Sequence, residues 1–266
     1  MYNTIHLNID GKGMARLALN RPEKFHALNA ELIAEMTDAI GKIAEDKKVH
    51  LVILESSGPH FCAGGDLRWM QDQMQADRQT KMAEAEKLSH MLSSLNQLEK
   101  PVIGRVQGNA YGGGLGLMCV CDIVVAAENA RFALTETRLG LIPATIGPFV
   151  FRKLGEGATR QIFLTGSTID ANRALHLGLV SFVVPDTELD KTIAREAETA
   201  LKAGPTAMGY AKRLLQQFSQ TDDWQAQNKQ AVSALADCWE TQETQAGIKA
   251  FFDKQPAPWI KTEQSE

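Results

Sequence analysis

The chain has 266 residues, 44% of them hydrophobic and 23% charged, a composition that excludes a disordered, fibrous or disulfide-stapled protein. At about 150 residues per domain the length corresponds to roughly 1.8 domains, either one large unit or one unit with an appendage. Its 28 basic and 32 acidic side chains leave a net charge of −4 with no basic block of the kind a phosphate backbone requires, so nucleic acid is not an expected partner.

The longest charge-free run, Val106 to Cys121, holds 16 residues, five of them glycine. It is too short and too polar to span a bilayer, so no membrane association is expected. The start, Met1-Tyr2-Asn3-Thr4-Ile5-His6, offers no basic n-region, apolar h-region or Arg-rich presequence, and a cytoplasmic location is the expectation. Four cysteines, Cys62, Cys119, Cys121 and Cys238, form no Cys-x-x-Cys pair, and the six histidines are scattered without a His-x-x-x-His spacing. No metal is expected, and the cysteines read as buried free thiols.

Residues 4–9 and 14–19 alternate apolar and polar around Asp10-Gly11-Lys12-Gly13, a hairpin signal. Between Asn29 and Asp46, Leu32, Ile33, Met36, Ile40 and Ile43 stand at helical spacing behind a capping Asn. The β-branched run 49–54 reads as a strand covered on both faces. A loop of small residues and breakers, 56–66, leads to a helix starting at Asp66, and the apolar spacing over 80–98 gives another. Strands are expected at 101–106, 121–127, 131–134 and 179–184, with a short helix before 121 and one near 146–154. Alternating strands and helices define an α/β core. Beyond about 195 nothing reads as strand, and helices fit 187–202, 204–218 and 223–252. The expected division is a core over 1–195 and an all-helical region over 196–266.

The loudest local feature is Gly108-Asn109-Ala110-Tyr111-Gly112-Gly113-Gly114-Leu115-Gly116, set between a strand and a short helix. A phosphate-binding lysine loop fails on spacing because Gly113 is followed by Gly114, and a dinucleotide fingerprint fails because Leu117 and Met118 stand where glycine is needed. Two readings remain. Backbone N–H groups at a helix start can receive a developing negative charge, or the glycines let a helix pack closely on a sheet. Ala63-Gly64-Gly65-Asp66-Leu67 is a second small-residue loop that follows a strand and opens a helix, so two N–H donors could face one carbonyl oxygen. Downstream, Glu136 is a single carboxylate in mostly apolar sequence. Desolvation would raise its pKa and suit it to proton transfer; the plainer alternative is a surface side chain or a partner of Arg138.

These motifs together resemble the crotonase, or enoyl-CoA hydratase/isomerase, superfamily from about Ile5 to Trp259. The resemblance rests on Asn20-Arg21-Pro22-Glu23-Lys24, Phe61-Cys62-Ala63-Gly64-Gly65-Asp66-Leu67, Lys100-Pro101-Val102-Ile103, the glycine run, Cys121-Asp122-Ile123 and Phe132-Ala133-Leu134-Thr135-Glu136 through Gly140. It implies a spiral of ββα units, a C-terminal helical region driving assembly into a homotrimer or a dimer of trimers, and acyl-CoA thioesters as substrates with no further cofactor. Carried over by position, the N–H groups of Gly65 and Gly113 would form an oxyanion hole, with Glu136 as acid/base. Lys24, His26 and Ala27, together with Ala63, Gly64, Asp66 and Leu67, would hold CoA, its adenine against backbone and Lys24 near phosphate. Phe251 and Lys254 would close over CoA, in some relatives from a neighbouring subunit.

One departure matters for the chemistry. Familiar hydratases carry a first glutamate two residues after the glycine triplet, where this chain has Gly116. A single Glu136 suits a 3-enoyl to 2-enoyl isomerase, or a hydratase in which Glu136 performs both transfers. The stretch Gly140 to Val150, with Asp66-Leu67-Arg68-Trp69-Met70, resembles instead the bacterial branched-chain hydratases acting on methylglutaconyl-CoA or longer isoprenoid glutaconyl-CoA thioesters, and hydration is the favoured expectation. Arg68 or Arg138 could pair with the second carboxylate of such a substrate. A non-catalytic scaffold or RNA binder, or a dehalogenase or hydrolase on the same scaffold, is a further reading, because fold fixes thioester binding more firmly than the reaction.

Overall fold

The structure is a computed structural model that describes residues 1–260. The opening hairpin forms as the alternation requires: β1 (Ile5–Ile9) and β2 (Met14–Leu19) are antiparallel, with Ile5 opposite Leu19. Asp10 Oδ1 accepts from the N–H groups of Lys12 and Met14 at 2.8 and 2.9 Å and so shapes the turn. Helix α1 (Ala30–Glu45) begins at Asn29, whose side chain accepts from Leu32 N–H. Three units of two strands and a helical segment follow. They are β3 (Leu51–Glu55), β4 (His60–Cys62), α2 (Leu67–Gln75) and α3 (Arg78–Gln97); β5 (Val102–Val106), β6 (Asn109–Tyr111) and α4 (Gly113–Cys119); and β7 (Ile123–Ala127), β8 (Arg131–Ala133), a 3-10 turn at Glu136–Leu139 and α5 (Gly147–Thr165). The chain ends through β9 (Ile169–Asp170), α6 (Ala171–His176), β10 (Phe182–Val184), α7 (Leu189–Leu201), α8 (Pro205–Phe218), α9 (Trp224–Trp239) and α10 (Gln242–Phe252).

The first strand of each unit joins a six-stranded sheet ordered β1-β2-β3-β5-β7-β10, and the second joins a four-stranded sheet ordered β4-β6-β8-β9. This is the α/β spiral of ββα units that the resemblance implies. Beyond the hairpin the large sheet is parallel. Its central strand β3 is buried on both faces: Val52 and Leu54 enter the main core, while Leu51 and Ile53 pack with Leu189, Ile193 and Ala197 of α7. The main core also takes Leu115, Leu117 and Met118 of α4, each worth about 1.5–3 kcal/mol when fully buried. Helix α4 is therefore held as a rigid plug between the two sheets.

Several expected boundaries shift for identifiable reasons. Strands β4 and β6, at three residues each, and the two-residue β9 are too short for alternation to show in sequence. The helix expected over 146–154 runs on to Thr165 across a kink at Gly155, which has φ 73°. The single helix expected over 223–252 is two, because Thr241 leaves helical geometry and caps α10 by accepting from Thr244 N–H. Residue 195, where the sequence suggests dividing the chain, falls inside α7, whose Leu189, Ile193 and Ala197 cover the sheet. Residues 261–266 of the expected helical region lie outside the described residues.

The Cys121-Asp122-Ile123 motif proves to be a clamp. Asp122 Oδ2 accepts from Val102 N–H and from Lys212 Nζ, both at 2.7 Å, and Lys212 also donates to the Lys100 carbonyl. The Lys212 side chain is 10% exposed and that of Asp122 34%, so this pair joins α8 to the starts of β5 and β7 with solvent screening on the aspartate side. Hydrogen bonds to charged groups contribute about 1.5–3 kcal/mol and exposed pairs about 0–1 kcal/mol, and for this partly screened pair Lys212→Ala is expected to lower stability by about 1–1.5 kcal/mol. Urea unfolding should show a lower midpoint at an unchanged slope.

Candidate functional site

Four segments converge beside the N-terminus of α4. The first is the loop 20–28, held by Arg21 and His26. Arg21 Nη2 pairs with Asp66 Oδ2 at 2.8 Å and Nη1 donates to the Ala27 carbonyl. The His26 ring is 1% exposed. Its Nδ1 accepts from Arg21 N–H at 3.1 Å and its Nε2 lies 2.8 Å from the Ser57 carbonyl. A ring accepting at one nitrogen and donating at the other is neutral, and burial agrees by holding its pKa below the ordinary value. With both nitrogens engaged, His26 acts as a pillar, and it permits the successive left-handed residues Phe25 (φ 50°) and His26 (φ 56°).

The second segment, 63–66, lies alongside the first as a one-residue parallel bridge between Leu28 and Gly65. Leu28 N–H donates to Gly64 O at 2.7 Å and Asp66 N–H donates to Leu28 O at 2.8 Å. Since peptide groups alternate direction along extended chain, Gly65 directs its own N–H away from Leu28. The Asp66 carboxylate is fully used, since besides Arg21 it accepts from Arg68 N–H and Trp69 N–H and so caps α2. These bonds, led by the one from Arg21 and acting against burial, hold its carboxyl below the ordinary value.

The third and fourth segments bring Glu136 against the glycine run. Gly64 (φ +94°) places its Cα within 3.7 Å of where a Cβ on Gly112 would stand, and the same point is 2.7 Å from Glu136 Oε1. Any side chain at Gly112 would displace the carboxylate, and Gly112 also has φ +47°, which L residues rarely adopt. Glu136 Oε2 is buried with no hydrogen-bond partner among the described residues, and burial raises the carboxyl above its ordinary pKa. Among the described residues Glu136 makes no ion pair with Arg138, whose guanidinium lies beside Gly166 instead. Neither Gly65 nor Gly113 finds an acceptor for its N–H within the described chain. The close-packing reading of the glycine run is seen directly: a Cβ on Gly114 would meet the Cys62 carbonyl oxygen at 2.5 Å, and one on Gly113 would meet Leu28 Cδ1 at 2.5 Å.

The position of the missing first glutamate is full. A Cβ on Gly116 would come within 2.5 Å of Ile146 Cγ2 and 3.0 Å of Ile146 Cβ, and Ile146 is 2% exposed. Hydrocarbon occupies the space a second carboxylate would need. Of the other residues proposed from sequence, Ala27 is buried, Ala63 is half-buried, and Lys24 and Leu67 are exposed around the same loops. Phe251 and Lys254 are exposed at the end of α10, which packs on α8 and α9; Phe251 makes a T-shaped contact with Phe252 at 5.8 Å. Among the described residues no hydrogen bond joins these two to the glycine loops. Residues that sequence reasoning did not single out are Arg21, Ser57, Trp69, Met70 and Ile146. Arg21, Trp69, Met70 and Ile146 stood within motifs quoted for the resemblance, but nothing in those motifs marked their partners, and Ser57 lay in a loop of small residues.

Among the described residues no group of His, Cys, Asp or Glu could hold a metal ion, and no helix is long and apolar enough to cross a membrane. Comparison with known proteins supplies the remaining context. The chain is 34% identical over 261 residues to the crotonyl-CoA hydratase of Syntrophomonas wolfei, covering 97% of this chain and 98% of that one. It is 32% identical to the 2,3-dehydroadipyl-CoA hydratase of Escherichia coli, with 90% and 91% covered. The crystal structure of an enoyl-CoA hydratase from Shewanella pealeana superposes with a TM-score of 0.93 at 33% identity, covering 97% of each chain. Residues 10–262 match the enoyl-CoA hydratase/isomerase family, and with the ββα spiral and the glycine-bounded carboxylate in place, the chain belongs to that family.

Proposed function

We propose that this protein hydrates a 2-enoyl-CoA, with Glu136 as both base and acid. The observation that carries the reading is the half-buried Glu136, whose Oε2 is buried without a hydrogen-bond partner among the described residues and whose Oε1 is set against Gly112. In this reading the N–H groups of Gly65 and Gly113 hold the thioester carbonyl oxygen. Glu136 takes a proton from water as its oxygen adds at C3, negative charge moves to the thioester oxygen, and the Glu136 carboxylic acid then protonates C2. Removing one such donor typically costs about 2.7–4 kcal/mol of transition-state stabilisation. Burial suits Glu136 to the work, because a carboxyl with a raised pKa exchanges its proton nearer neutrality. The hydratases among the relatives favour hydration, whereas Ile146 in the place of a second carboxylate favours the alternative, in which Glu136 carries a proton from C2 to C4 of a 3-enoyl-CoA.

The finer reading is a branched, carboxylated acyl group such as methylglutaconyl or a longer isoprenoid glutaconyl. Arg68 and Arg138 are exposed and, among the described residues, form no ion pair, which leaves both available to a distal carboxylate. A dicarboxylic acyl group in the name of the E. coli relative agrees with such a substrate. Exposed Lys24 is placed to meet CoA phosphates, while His26, Ala27, Ala63, Gly64, Asp66 and Leu67 shape the backbone against which the nucleotide rests. The CoA thioester is the substrate itself, and no further cofactor enters the reaction. The described part of α9 buries no residue, and Trp224, Leu235, Trp239, Phe251 and Phe252 are all more than half exposed. An apolar surface of this kind is an association surface and supports assembly into a homotrimer or a dimer of trimers, bringing Phe251 and Lys254 to a neighbour's CoA. We place the enzyme in the cytoplasm.

Ultraviolet absorbance distinguishes the two reactions. Hydration should bleach the conjugated band of crotonyl-CoA and methylglutaconyl-CoA, and a gain of that band from a 3-enoyl-CoA without any bleaching would overturn the reading. Glu136→Gln should lower kcat by about 10²–10⁴, the usual range for a positioned acid/base, while leaving CoA binding intact. The rate of the unmodified enzyme should fall as pH drops through the raised Glu136 pKa, above the ordinary carboxyl value of 4.5. Stability follows the opposite course. A raised folded-state pKa means the contribution is present below 4.5 and lost as pH rises through the folded value, so Glu136→Gln should unfold at a higher temperature than the parent at pH 7 and not at pH 4. Gly116→Glu should lose at least about 1–3 kcal/mol to overpacking against Ile146, read as a lower midpoint in thermal unfolding.

A further inference from the structure

Helices α2 and α3 flank the site and meet the core mainly through the C-terminal half of α3. No residue of α2 is buried, and α3 buries only Met91, Leu92 and Leu95, all in its last turns. Their mutual placement is nonetheless specific. Trp69 Nε1 donates to Glu84 Oε2 at 3.3 Å, and Lys87 Nζ lies 2.6 Å from the other oxygen, Glu84 Oε1. Glu84 is 15% exposed at its side chain, and these two bonds, chiefly that from Lys87, hold its carboxyl below the ordinary range and keep it charged. Both acceptor oxygens are thus engaged, one by the neighbouring turn of its own helix and one across the α2–α3 corner at Ala76–Asp77.

The tryptophan so held is beside the chemistry. Met70 Cγ and Sδ lie 3.4 Å, and Trp69 Cζ3 3.9 Å, from where a Cβ on Gly65 would stand. The open face of Gly65 is therefore roofed by one thioether and one indole, an apolar surface bordering the N–H assigned to the thioester oxygen. An acyl chain extending from that thioester would leave water along such a surface, and its fit would depend on the indole staying in one orientation. An indole has a single N–H, so one acceptor fixes it.

We propose that Glu84 is a positioning residue for acyl-chain recognition: through its bond to the Trp69 indole it holds Trp69 and Met70 as the wall beside Gly65 against which the apolar part of the acyl group packs. The proposal rests on the enoyl-CoA reading above, and its test separates the two. Kinetics with crotonyl-CoA and trans-2-decenoyl-CoA would be measured for the full chain, Glu84→Ala and Glu84→Gln, alongside calorimetric binding of the unreactive butyryl-CoA and decanoyl-CoA. In Glu84→Ala the ratio of kcat/KM for the long over the short substrate should fall roughly three- to tenfold, the size of one hydrogen bond, with the change in KM. Decanoyl-CoA binding should weaken by the same factor relative to butyryl-CoA. Glu84→Gln, which keeps an acceptor oxygen, should restore both. Trp69 emission, obtained by subtracting the spectrum of Trp69→Phe, should shift in Glu84→Ala and return in Glu84→Gln. Equal losses for both chain lengths, or an unchanged ratio in Glu84→Ala, would overturn the positioning role. Acyl-CoA binding that shows the discrimination without turnover of either enoyl-CoA would uphold the wall and sink the hydratase reading.

Discussion

Everything at this site depends on one carboxylate oxygen, Glu136 Oε2, being buried without a hydrogen-bond partner among the described residues. An unpaired polar atom in protein interior costs free energy unless something over-determines its position, and here that something is backbone. Gly112 and Gly64 approach each other and Glu136 so closely that no Cβ fits between them. The approach is fixed by the Leu28–Gly65 bridge on one side and by the buried apolar face of α4 on the other. Backbone on one side and the apolar side chains of Leu28, Trp69 and Met70 on the other form the walls, and among the described residues none of these offers an acceptor to the N–H groups of Gly65 and Gly113.

The support behind that arrangement is charged and layered. Arg21 joins the loop before α1 to the cap of α2 through Asp66, and His26 joins the same loop to Ser57. These contacts make the left-handed pair Phe25-His26 tolerable, since strained backbone persists only where its surroundings hold it. Asp66, which the family resemblance assigns to CoA, spends its carboxylate on holding the loop; what it can offer a ligand is the shape of the backbone. Farther out, Asp122 and Lys212 bind the helical tail to the strands that carry the loops.

Much of this was legible in sequence, and the limit has a physical basis. Period-two alternation revealed β1 and β2, and the covered strand β3 showed as an apolar run, because each is long enough to repeat its pattern. The three-residue strands β4 and β6 hold the two glycine loops in parallel register and left no periodic trace. Glu136 stood out because it is alone among apolar neighbours; that it lacks a partner depends on Arg138 turning toward Gly166, which no local rule encodes. The absence of a carboxylate at Gly116 was visible, whereas the Ile146 that fills the space lies thirty positions downstream and required the packing of α5 on α4 to be seen. Arg21 with Asp66 and Trp69 with Glu84 are likewise pairs whose members are ordinary until folding joins them.

The thiol behind the glycine run has a chemical consequence of its own. Cys62 is fully buried, its carbonyl and Cβ pressed against Gly114, and burial pushes its pKa up to about 12. A conjugated thioester, the substrate class proposed above, is an electrophile at C3, and thiolate is the form of cysteine that adds to such carbons. Cys119 and Cys121, also buried, are pushed up to about 12 as well. The packing that shapes this site also keeps its sulfur protonated and out of reach, so an enzyme built to present activated olefins to a nucleophile is shielded from alkylating itself.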